Sequence, residues 1–250
     1  MKLGIIGCGN IASIISGFKL NCEVVALYDR HLEKAKKLEK AFGAKAYESF
    51  DDFIKQDFDT VLETASYEAV KTLSNKILEK GKNLIILSSG ALMEDDFRNS
   101  LIDKAKEKNL FIRVPSGALF GVDNAKVLSF TNPKKVFIKS VKNPKEFGLK
   151  NEKKLVFKGK ASECIKRFPK QTNVTVTISI VTNYNADVEI WADPEVEHNI
   201  HEVELEGVFG KCSIKIDNLP SEKNPKTSYL AALSVVALIN EIDNNFIVGT

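Results

Sequence analysis

The first half of the chain alternates short apolar runs with polar, lysine-rich segments, and this alternation restricts the possible folds more than any other feature. Apolar runs without charges are typical of strands that a parallel sheet buries on both faces. The polar segments between them carry apolar residues at helical spacing, as expected of helices that cover such a sheet. We therefore predict a doubly wound α/β fold. The predicted strands are 3–7, 23–29, 60–65, 83–89 and 110–116, and the predicted helices are 32–42, 67–81 and 94–109.

The character of the sequence changes near residue 120. Beyond this point the apolar runs contain more β-branched residues and alternate with polar ones, which predicts a largely antiparallel sheet with one solvated face. Gly207 and Gly210 flank Val-Phe, so 201–217 is predicted to be a hairpin or a bent strand pair. We expect a second, α+β domain over 120–224. Its other predicted strands are 134–142, 153–159 and 187–193.

The chain ends in a long apolar segment, NPKTSYLAALSVVALINEI (224–242). Pro225 near the first turn suits a helix start, and apolar residues on nearly every face predict a buried helix. We expect residues 225–250 to complete the first domain, whose main part spans 1–119.

A glycine motif, GCGNIA, follows the first predicted strand directly and fits G-x-G-x-x-G/A. In this pattern Gly7 permits a tight turn, Gly9 lets the backbone approach a pyrophosphate, and Ala12 lets the helix lie close to the strand. The phosphates meet the N-terminal end of the helix that begins near Asn10 and Ile11. The motif predicts the dinucleotide site of a Rossmann domain, although a plain glycine turn would also explain the glycines.

An acidic residue supports the dinucleotide site. The second predicted strand ends in Asp29, 22 positions beyond Gly7, where a carboxylate can accept hydrogen bonds from the adenosine ribose hydroxyls. A plain glycine turn does not account for Asp29. This residue favours NAD, while the neighbouring Arg30 and His31 could pair with a 2′-phosphate. We therefore expect NAD and NADP as cofactors.

Composition argues against several other classes of protein. The chain has 36 Lys+Arg and 33 Asp+Glu, and the basic residues are scattered rather than gathered with aromatic ones, which disfavours nucleic-acid binding. The sequence shows neither the roughly 18–20 apolar residues that a membrane span needs nor a signal peptide, so we expect a cytoplasmic protein without a membrane partner. The four cysteines are widely spaced, which predicts reduced thiols and no metal site.

Two of the three histidines stand three positions apart in EHNIHE, residues 197–202. In a helix His198 and His201 would share a face and could ligate a metal, whereas in an extended segment they point to opposite sides. Because the adjoining residues are predicted to form a strand, we interpret the two histidines as independent of each other.

Six segments of the chain resemble L-aspartate dehydrogenases of the short microbial type. The most specific is ADPEVEHNIHE followed by GVFG, since ordinary packing gives no reason for this combination. The resemblance implies a Rossmann domain closed by the C-terminal helix, an α+β domain that supplies substrate groups, and a homodimer contact. The matching segments are GCGNIA, ETASYEAV (63–70), PSGALFGVD (115–123), FPKQTNV (168–174), ADPEVEHNIHEVELEGVFG (192–210) and NPKTSYLAALS (224–234).

The resemblance also implies roles for individual residues. The histidine of the NxHE element, His201, is implied to be catalytic, whereas His198 has no implied role. The alanine of PSGA, Ala118, and the asparagine of the FPxxxNV element, Asn173, are implied to contact the nicotinamide side of the cofactor. Without the resemblance, a hydrogen-bonded core or surface histidine would be the simpler interpretation of His201.

Substrate contacts are predicted from position alone. Lys226, Thr227 and Ser228 stand at the predicted start of the last helix, where a cation, hydroxyls and backbone N–H groups can hold a carboxylate. These residues would serve equally well as a helix cap. Asn199 is a candidate because it is close to His201 in the sequence, with a turn residue as the alternative.

The implied reaction is the oxidative deamination of L-aspartate, in which a hydride leaves the α-carbon for the nicotinamide. The resulting iminoaspartate reacts with water to give oxaloacetate and ammonia, and we expect the product to feed NAD biosynthesis. A histidine with a pKa near neutrality suits the proton transfers. The alternatives are a related dehydrogenase for another amino or oxo diacid, such as a homoserine or dihydrodipicolinate type, and a nicotinamide-nucleotide sensor without chemistry.

One segment departs from the family pattern. The β-branched residues of VTVTISIVTN (174–183) favour a strand by intrinsic propensity, where the family usually has alanine-rich helix-forming residues. Tertiary context often overrides such weak preferences. We therefore predict a helix here.

Overall fold

The computed structural model describes residues 1–169, 172–221 and 224–249, with backbone alone at 224–226. It contains two compact units. The first consists of Met1–Pro115 and Ala232–Ile247, and the second is built mainly from Ser116–Ala231. The domain limits expected from the sequence lie after residue 119 and before residue 225. They remain a prediction.

The described residues of the first unit form a six-stranded sheet in the order β3-β2-β1-β4-β5-β6, in which all neighbouring strands are parallel. This strand order is that of Rossmann domains and confirms the predicted fold class. The short strand β3 was not predicted, because three residues carry too little periodicity. The strands are β1 (Lys2–Ile6), β2 (Glu23–Tyr28), β3 (Lys45–Tyr47), β4 (Thr60–Glu63), β5 (Asn83–Ile86) and β6 (Ile112–Arg113).

Helices connect these strands, and their ends follow local sequence signals. The Ser66 side chain accepts a hydrogen bond from the Ala69 N–H at the start of α4, and Gly43 ends α2 in the left-handed conformation. All three predicted helices are confirmed, within two residues at each end. The helices are α1 (Asn10–Ile15), α2 (Leu32–Phe42), α3 (Phe50–Phe53), α4 (Tyr67–Glu79) and α5 (Asp95–Glu107).

The described residues of the second unit contain a five-stranded sheet in the order β11-β10-β7-β9-β8. Only the β7–β9 pair is parallel within it, so the largely antiparallel sheet is confirmed. The predicted hairpin is confirmed too, with Gly207 opposite Gly210 at the turn. The strands are β7 (Lys135–Lys142), β8 (Lys154–Lys160), β9 (Asp187–Ala192), β10 (Asn199–Gly207) and β11 (Gly210–Asn218).

The described residues of the second unit include three α-helices: α6 (Val122–Ala125), α7 (Ala161–Arg167) and α8 (Asn173–Thr182). The helix predicted over the β-branched segment is therefore confirmed. Residues 174–179 are all buried, so packing on every side of α8 outweighs the strand preference of its valines and threonines. Asn183 ends the helix in the left-handed conformation with φ of 50°.

The predicted helix start at Pro225 is wrong. Asn224–Ser228 forms a strand, β13, which pairs with β12 (Pro220–Ser221) in an antiparallel ladder. The last helix, α9, spans Tyr229–Glu241. The ladder holds the chain extended up to Ser228, and proline tolerates such a position in a short edge strand.

Helix α9 supplies apolar side chains to the core of the first unit. Its residues Ala232, Val235 and Ile239 are buried in one cluster with strand residues such as Leu3 and Leu62. This packing explains why α9 is apolar on most faces. Within the described part of the chain, no helix combines the length and apolar character that a membrane span requires.

Candidate functional site

The glycine motif forms a tight turn at the carboxyl end of β1. Gly7 has a φ of +93°, and a Cβ atom added there would lie 2.6 Å from the backbone of Ala65. Its N–H donates to the Tyr28 carbonyl at 2.8 Å, and its carbonyl accepts from the Thr64 hydroxyl at 2.7 Å. Both the conformation and the close packing therefore require glycine at position 7.

The second glycine of the motif serves a different purpose. Gly9 is the N-cap of α1, followed by Asn10 and Ile11, and a Cβ added to it would meet no atom within 4 Å. The open space in front of Gly9 and the N-terminal N–H groups of α1 suit a phosphate. The predicted phosphate-binding residues are thus brought together as the motif requires.

Asp29 lies directly beside this turn. Its Oδ2 accepts a hydrogen bond from the Cys8 N–H, and its Oδ1 accepts one from the His31 N–H, both at 2.9 Å. Since a carboxylate offers about four acceptor positions, these bonds orient Asp29 and leave capacity for ribose hydroxyls. The side chain of Arg30 is exposed to solvent. The residues present therefore fit a bound dinucleotide.

Cys8, within the motif, is not a reactive thiol. Burial, and secondly the negative charge of Asp29, raise the pKa of Cys8 to about 12. The thiol is therefore neutral at physiological pH and adds no charge where the phosphates are expected.

A buried carboxylate that the sequence analysis missed organises the neighbouring loops. Glu63, the last residue of β4, is 2% exposed and accepts hydrogen bonds from the N–H groups of Ala65, Ser66 and Ser88 at 2.7–3.0 Å. Burial raises the pKa of Glu63, while these donors oppose the shift. The residue ties the loop after β4 to the loop after β5. The sequence does contain a signal for this residue, because an acidic residue ends the otherwise uncharged strand segment TVLE.

In the second unit, His201 lies on the buried face of the sheet. It is 4% exposed, and its Nδ1 is hydrogen-bonded to the hydroxyl of Ser140, the residue opposite it on β7, at 2.9 Å. His198 precedes β10 and its Nδ1 lies 3.5 Å from a carboxylate oxygen of Asp217. The two histidines are separate in space, as the extended backbone predicts.

The electrostatic state of His201 differs from the expectation of a near-neutral pKa. Burial, and secondly the positive charge of Lys142, lower the pKa of His201 to about 3. The imidazole is therefore neutral at physiological pH, and its unprotonated ring nitrogen can accept a hydrogen bond. Sequence gave no sign of this shift, because it depends on the sheet face that His201 occupies.

A hydrogen-bonded group of residues lies near the start of β10, close in the strand to His201. Asn218, at the end of β11, is opposite Asn199 in the ladder and is 3% exposed. Its side-chain amide donates to the Ala118 carbonyl at 3.3 Å, and its Oδ1 accepts from the Ser228 hydroxyl at 2.8 Å. The structure thus connects Ala118 with Ser228 through Asn218, which was not predicted as a site residue.

The remaining predicted residues are less closely connected to this group. Asn173 begins α8 and its side chain is exposed. Thr227 is partly buried in β13, and the side chain of Lys226 lies outside the described residues. The expected helix N-terminus at Lys226, Thr227 and Ser228 is absent from the described backbone, because the chain is extended there and pairs with β12.

Fold and site together define a class of protein. A Rossmann unit with a dinucleotide-binding turn, followed by an α+β unit with a buried neutral histidine, is the organisation of a two-domain dehydrogenase. Two family models match the chain in the same way. The model "Homoserine dehydrogenase, NAD binding domain" matches residues 3–115, and "Aspartate dehydrogenase, C-terminal" matches residues 123–242.

Comparison over the full length places the chain within this class. It is 44% identical to the L-aspartate dehydrogenase of Methanospirillum hungatei, with all of both chains covered. It is 38% identical to that of Methanothermobacter thermautotrophicus, over 100% of this chain and 99% of the relative. A crystal structure of aspartate dehydrogenase from Thermotoga maritima superposes with a TM-score of 0.84 at 32% identity, covering 100% and 99% of the two chains. The chain belongs to the L-aspartate dehydrogenase family.

Proposed function

We propose that this protein catalyses the NAD(P)-dependent oxidative deamination of L-aspartate to iminoaspartate, which yields oxaloacetate and ammonia, and the reverse reaction. The observation that carries the proposal is the position of His201. It combines burial, a fixed hydrogen bond to Ser140 and a neutral imidazole, in a chain whose full-length relatives are L-aspartate dehydrogenases.

His201 is the proposed acid–base residue. When bound, NAD or NADP supplies a nicotinamide ring that accepts a hydride from the α-carbon. Ser140 engages Nδ1 of His201, which fixes the ring and leaves Nε2 to take a proton from the substrate ammonium group. Once this proton has been released to solvent, the same nitrogen can accept a hydrogen bond from the water that attacks the imine. Burial of the imidazole excludes other proton donors from it.

Other residues of the chain are proposed to bind the two reactants. Gly7, Gly9, Asn10, Ile11 and Asp29 hold the dinucleotide, with the Asp29 carboxylate on the ribose. Exposed Arg30 offers a cation to the 2′-phosphate of NADP, so both cofactors are accepted.

The second unit supplies the remaining proposed contacts. Ala118 and Asn173 face the nicotinamide side of the cofactor, and Asn199 and Ser228 contact the substrate. Asn218 supports this assignment because it holds Ala118 and Ser228 in one hydrogen-bonded group. Thr227 and Lys226 complete the proposed substrate contacts.

We also propose that the protein works as a homodimer in the cytoplasm and that iminoaspartate feeds NAD biosynthesis. Size-exclusion chromatography with light scattering tests the dimer, since a dimer has twice the mass of 27.8 kDa calculated for the chain.

The activity is tested by following NADH or NADPH absorbance with L-aspartate, using L-glutamate, L-homoserine and D-aspartate as controls. Reduction of the cofactor should require L-aspartate. His201→Ala should lower kcat/KM by about 10²- to 10⁴-fold, the usual effect of losing a general acid–base group. His198→Ala, the matched control outside the buried sheet face, should remain within about threefold of the wild type, well inside the 1.4 kcal/mol that a tenfold change represents.

Cofactor binding is measured on the same variants by the rise in Tm on adding NAD. His201→Ala should keep the full rise. If no diacid supports turnover while NAD still raises Tm, the protein acts on another substrate or senses the nucleotide, and the proposed activity is rejected.

A further inference from the structure

A second charged residue shares the sheet face of His201. Lys142 is the last residue of β7, two positions beyond Ser140, which lies opposite His201. Side chains two apart on a strand point to the same face. Val141 pairs with Ile200, so Lys142 lies at the end of the sheet where β10 begins with Asn199.

Lys142 is unusual among the lysines of its strand because it is buried. It is 7% exposed as a residue, whereas the Lys139 side chain, on the opposite face of β7, is 31% exposed and pairs with Glu202. Lysine is almost never fully buried unless it is paired, because removing its charge from water is costly. The ammonium group of Lys142 therefore needs acceptors in its buried position.

The described partners of Lys142 use only part of its bonding capacity. Among the residues that the structure describes, Glu146 provides a side-chain acceptor, at 3.3 Å from Nζ. An ammonium group has three N–H donors. A second anion can therefore bind Nζ without displacing Glu146, and it would lie on the same face as the imidazole of His201.

We propose that Lys142 binds a carboxylate of the diacid substrate beside His201. The inference rests on the proposed function and adds to it the residue that offsets the second negative charge of the substrate. Lys142 gives one charge-assisted contact, and the aspartate amino group is thereby directed toward the neighbouring imidazole.

The proposal also accounts for the electrostatic state of His201. In the free protein the charge of Lys142 helps to lower the pKa of His201. A carboxylate bound to Lys142 offsets that charge and so raises the proton affinity of the imidazole. The bound substrate thereby strengthens the base that acts on it.

The test compares Lys142→Met with Lys139→Met, which removes a lysine from the other face of the same strand. Lys142→Met should raise the KM for L-aspartate by about 10- to 100-fold, the effect of one hydrogen bond between charged groups. Lys139→Met should leave KM within about twofold, as expected for an exposed ion pair. Both variants should keep the wild-type rise in Tm with NAD.

A binding measurement separates this inference from the proposed activity. Succinate has the two carboxylates of aspartate and no amino group, and its effect on Tm is measured in the presence of NADH. We expect succinate to raise the Tm of the wild type and of Lys139→Met, and to have no effect on Lys142→Met. Lys142→Gln, which keeps hydrogen-bond donors but loses the charge, should behave as Lys142→Met and replaces it should the methionine variant not fold.

The outcomes distinguish the two proposals. A succinate shift that depends on Lys142, in a protein that does not oxidise L-aspartate, supports the carboxylate site and rejects the activity. Oxidation of L-aspartate with equal KM values in Lys142→Met and Lys139→Met rejects the carboxylate site and supports the activity. A wild type with neither turnover nor a succinate shift rejects both.

Discussion

The two units of the molecule present their functional groups in different ways. In the first unit the proposed site consists mostly of backbone: a glycine turn with φ of +93°, the N-terminal N–H groups of α1, and Asp29 oriented by two N–H donors. In the second unit it consists of side chains on one buried sheet face, with His201, Ser140 and Lys142 on adjacent strands.

This difference matches the role that we propose for each unit. Phosphates carry charge that any well-placed N–H group can meet, so conformation suffices and glycine supplies it. Proton transfer needs a group of defined proton affinity, which burial and neighbouring charges set. The first site should therefore be sensitive to substitutions that alter the backbone conformation. The second site should be sensitive to substitutions that alter the charge near His201.

Substituting the two glycines tests the claim about the first unit, with the largest effect expected. Gly7→Ala should lower the free energy of unfolding by about 2–5 kcal/mol, because a positive φ is strained for alanine and its Cβ would meet Ala65. Gly9→Ala should cost about 1 kcal/mol or less, the difference expected at an N-cap, yet weaken NAD binding. Urea unfolding and NAD titration measure the two effects.

The opposite ranking of these glycine variants would break the comparison. Equal unfolding free energies for Gly7→Ala and the wild type would show that the turn relaxes around a side chain. The claim that conformation builds the first site would then be lost.

The pH dependence of stability tests the claim about the second unit. Below pH 6.5 an unfolded chain protonates His201 while the folded chain, in which burial and Lys142 lower its pKa to about 3, does not. Stability from this group is therefore complete above pH 6.5 and is lost as the pH falls toward 3. Between pH 7 and pH 5 the wild type should lose about 2 kcal/mol more than His201→Asn.

Urea unfolding of both proteins at the two pH values gives this difference directly. Carboxylates elsewhere titrate alike in the two proteins and cancel in the comparison. Parallel losses of stability would mean that His201 is accessible to protons in the folded state.

The smallest effect is expected on the outer face of the second sheet. Lys139 and Glu202 form an ion pair of 3.1 Å between side chains that are each about one-third exposed. A double-mutant cycle with Lys139→Met and Glu202→Gln should give a coupling energy of about 0.5 kcal/mol, reduced further by salt. A coupling of several kcal/mol would show that charges on both faces of the sheet matter equally.

The elements with long apolar or strongly periodic segments were predictable, and the shortest ones were not. Helix α8 was predicted correctly only because the family pattern was given more weight than the strand propensity of the β-branched residues in 174–182. It placed the start of α9 four residues too early, at Pro225, because a proline before an apolar run suits a helix start and an edge strand alike. Pairing with β12 decides between them, and that pairing is a tertiary contact.

The two parts of the proposed site also differ in how far they could be predicted from the sequence. The glycine turn and Asp29 follow from local spacing, since the motif is contiguous with its strands. Ser140, Lys142 and Asn218 are distant from His201 in sequence and meet it, or its neighbours, only through strand register. Single lysines and serines carry no sequence signal for such an encounter.

The hairpin that carries His201 also influences how molecules of this protein meet one another. Strand β11 lies at one margin of the second sheet in the described chain, and such a strand can pair with a strand of a second molecule and start aggregation. Its exposed side chains include Lys211 and Lys215. Adding a strand alongside β11 would require these charges to lose water, which opposes edge-to-edge pairing between molecules.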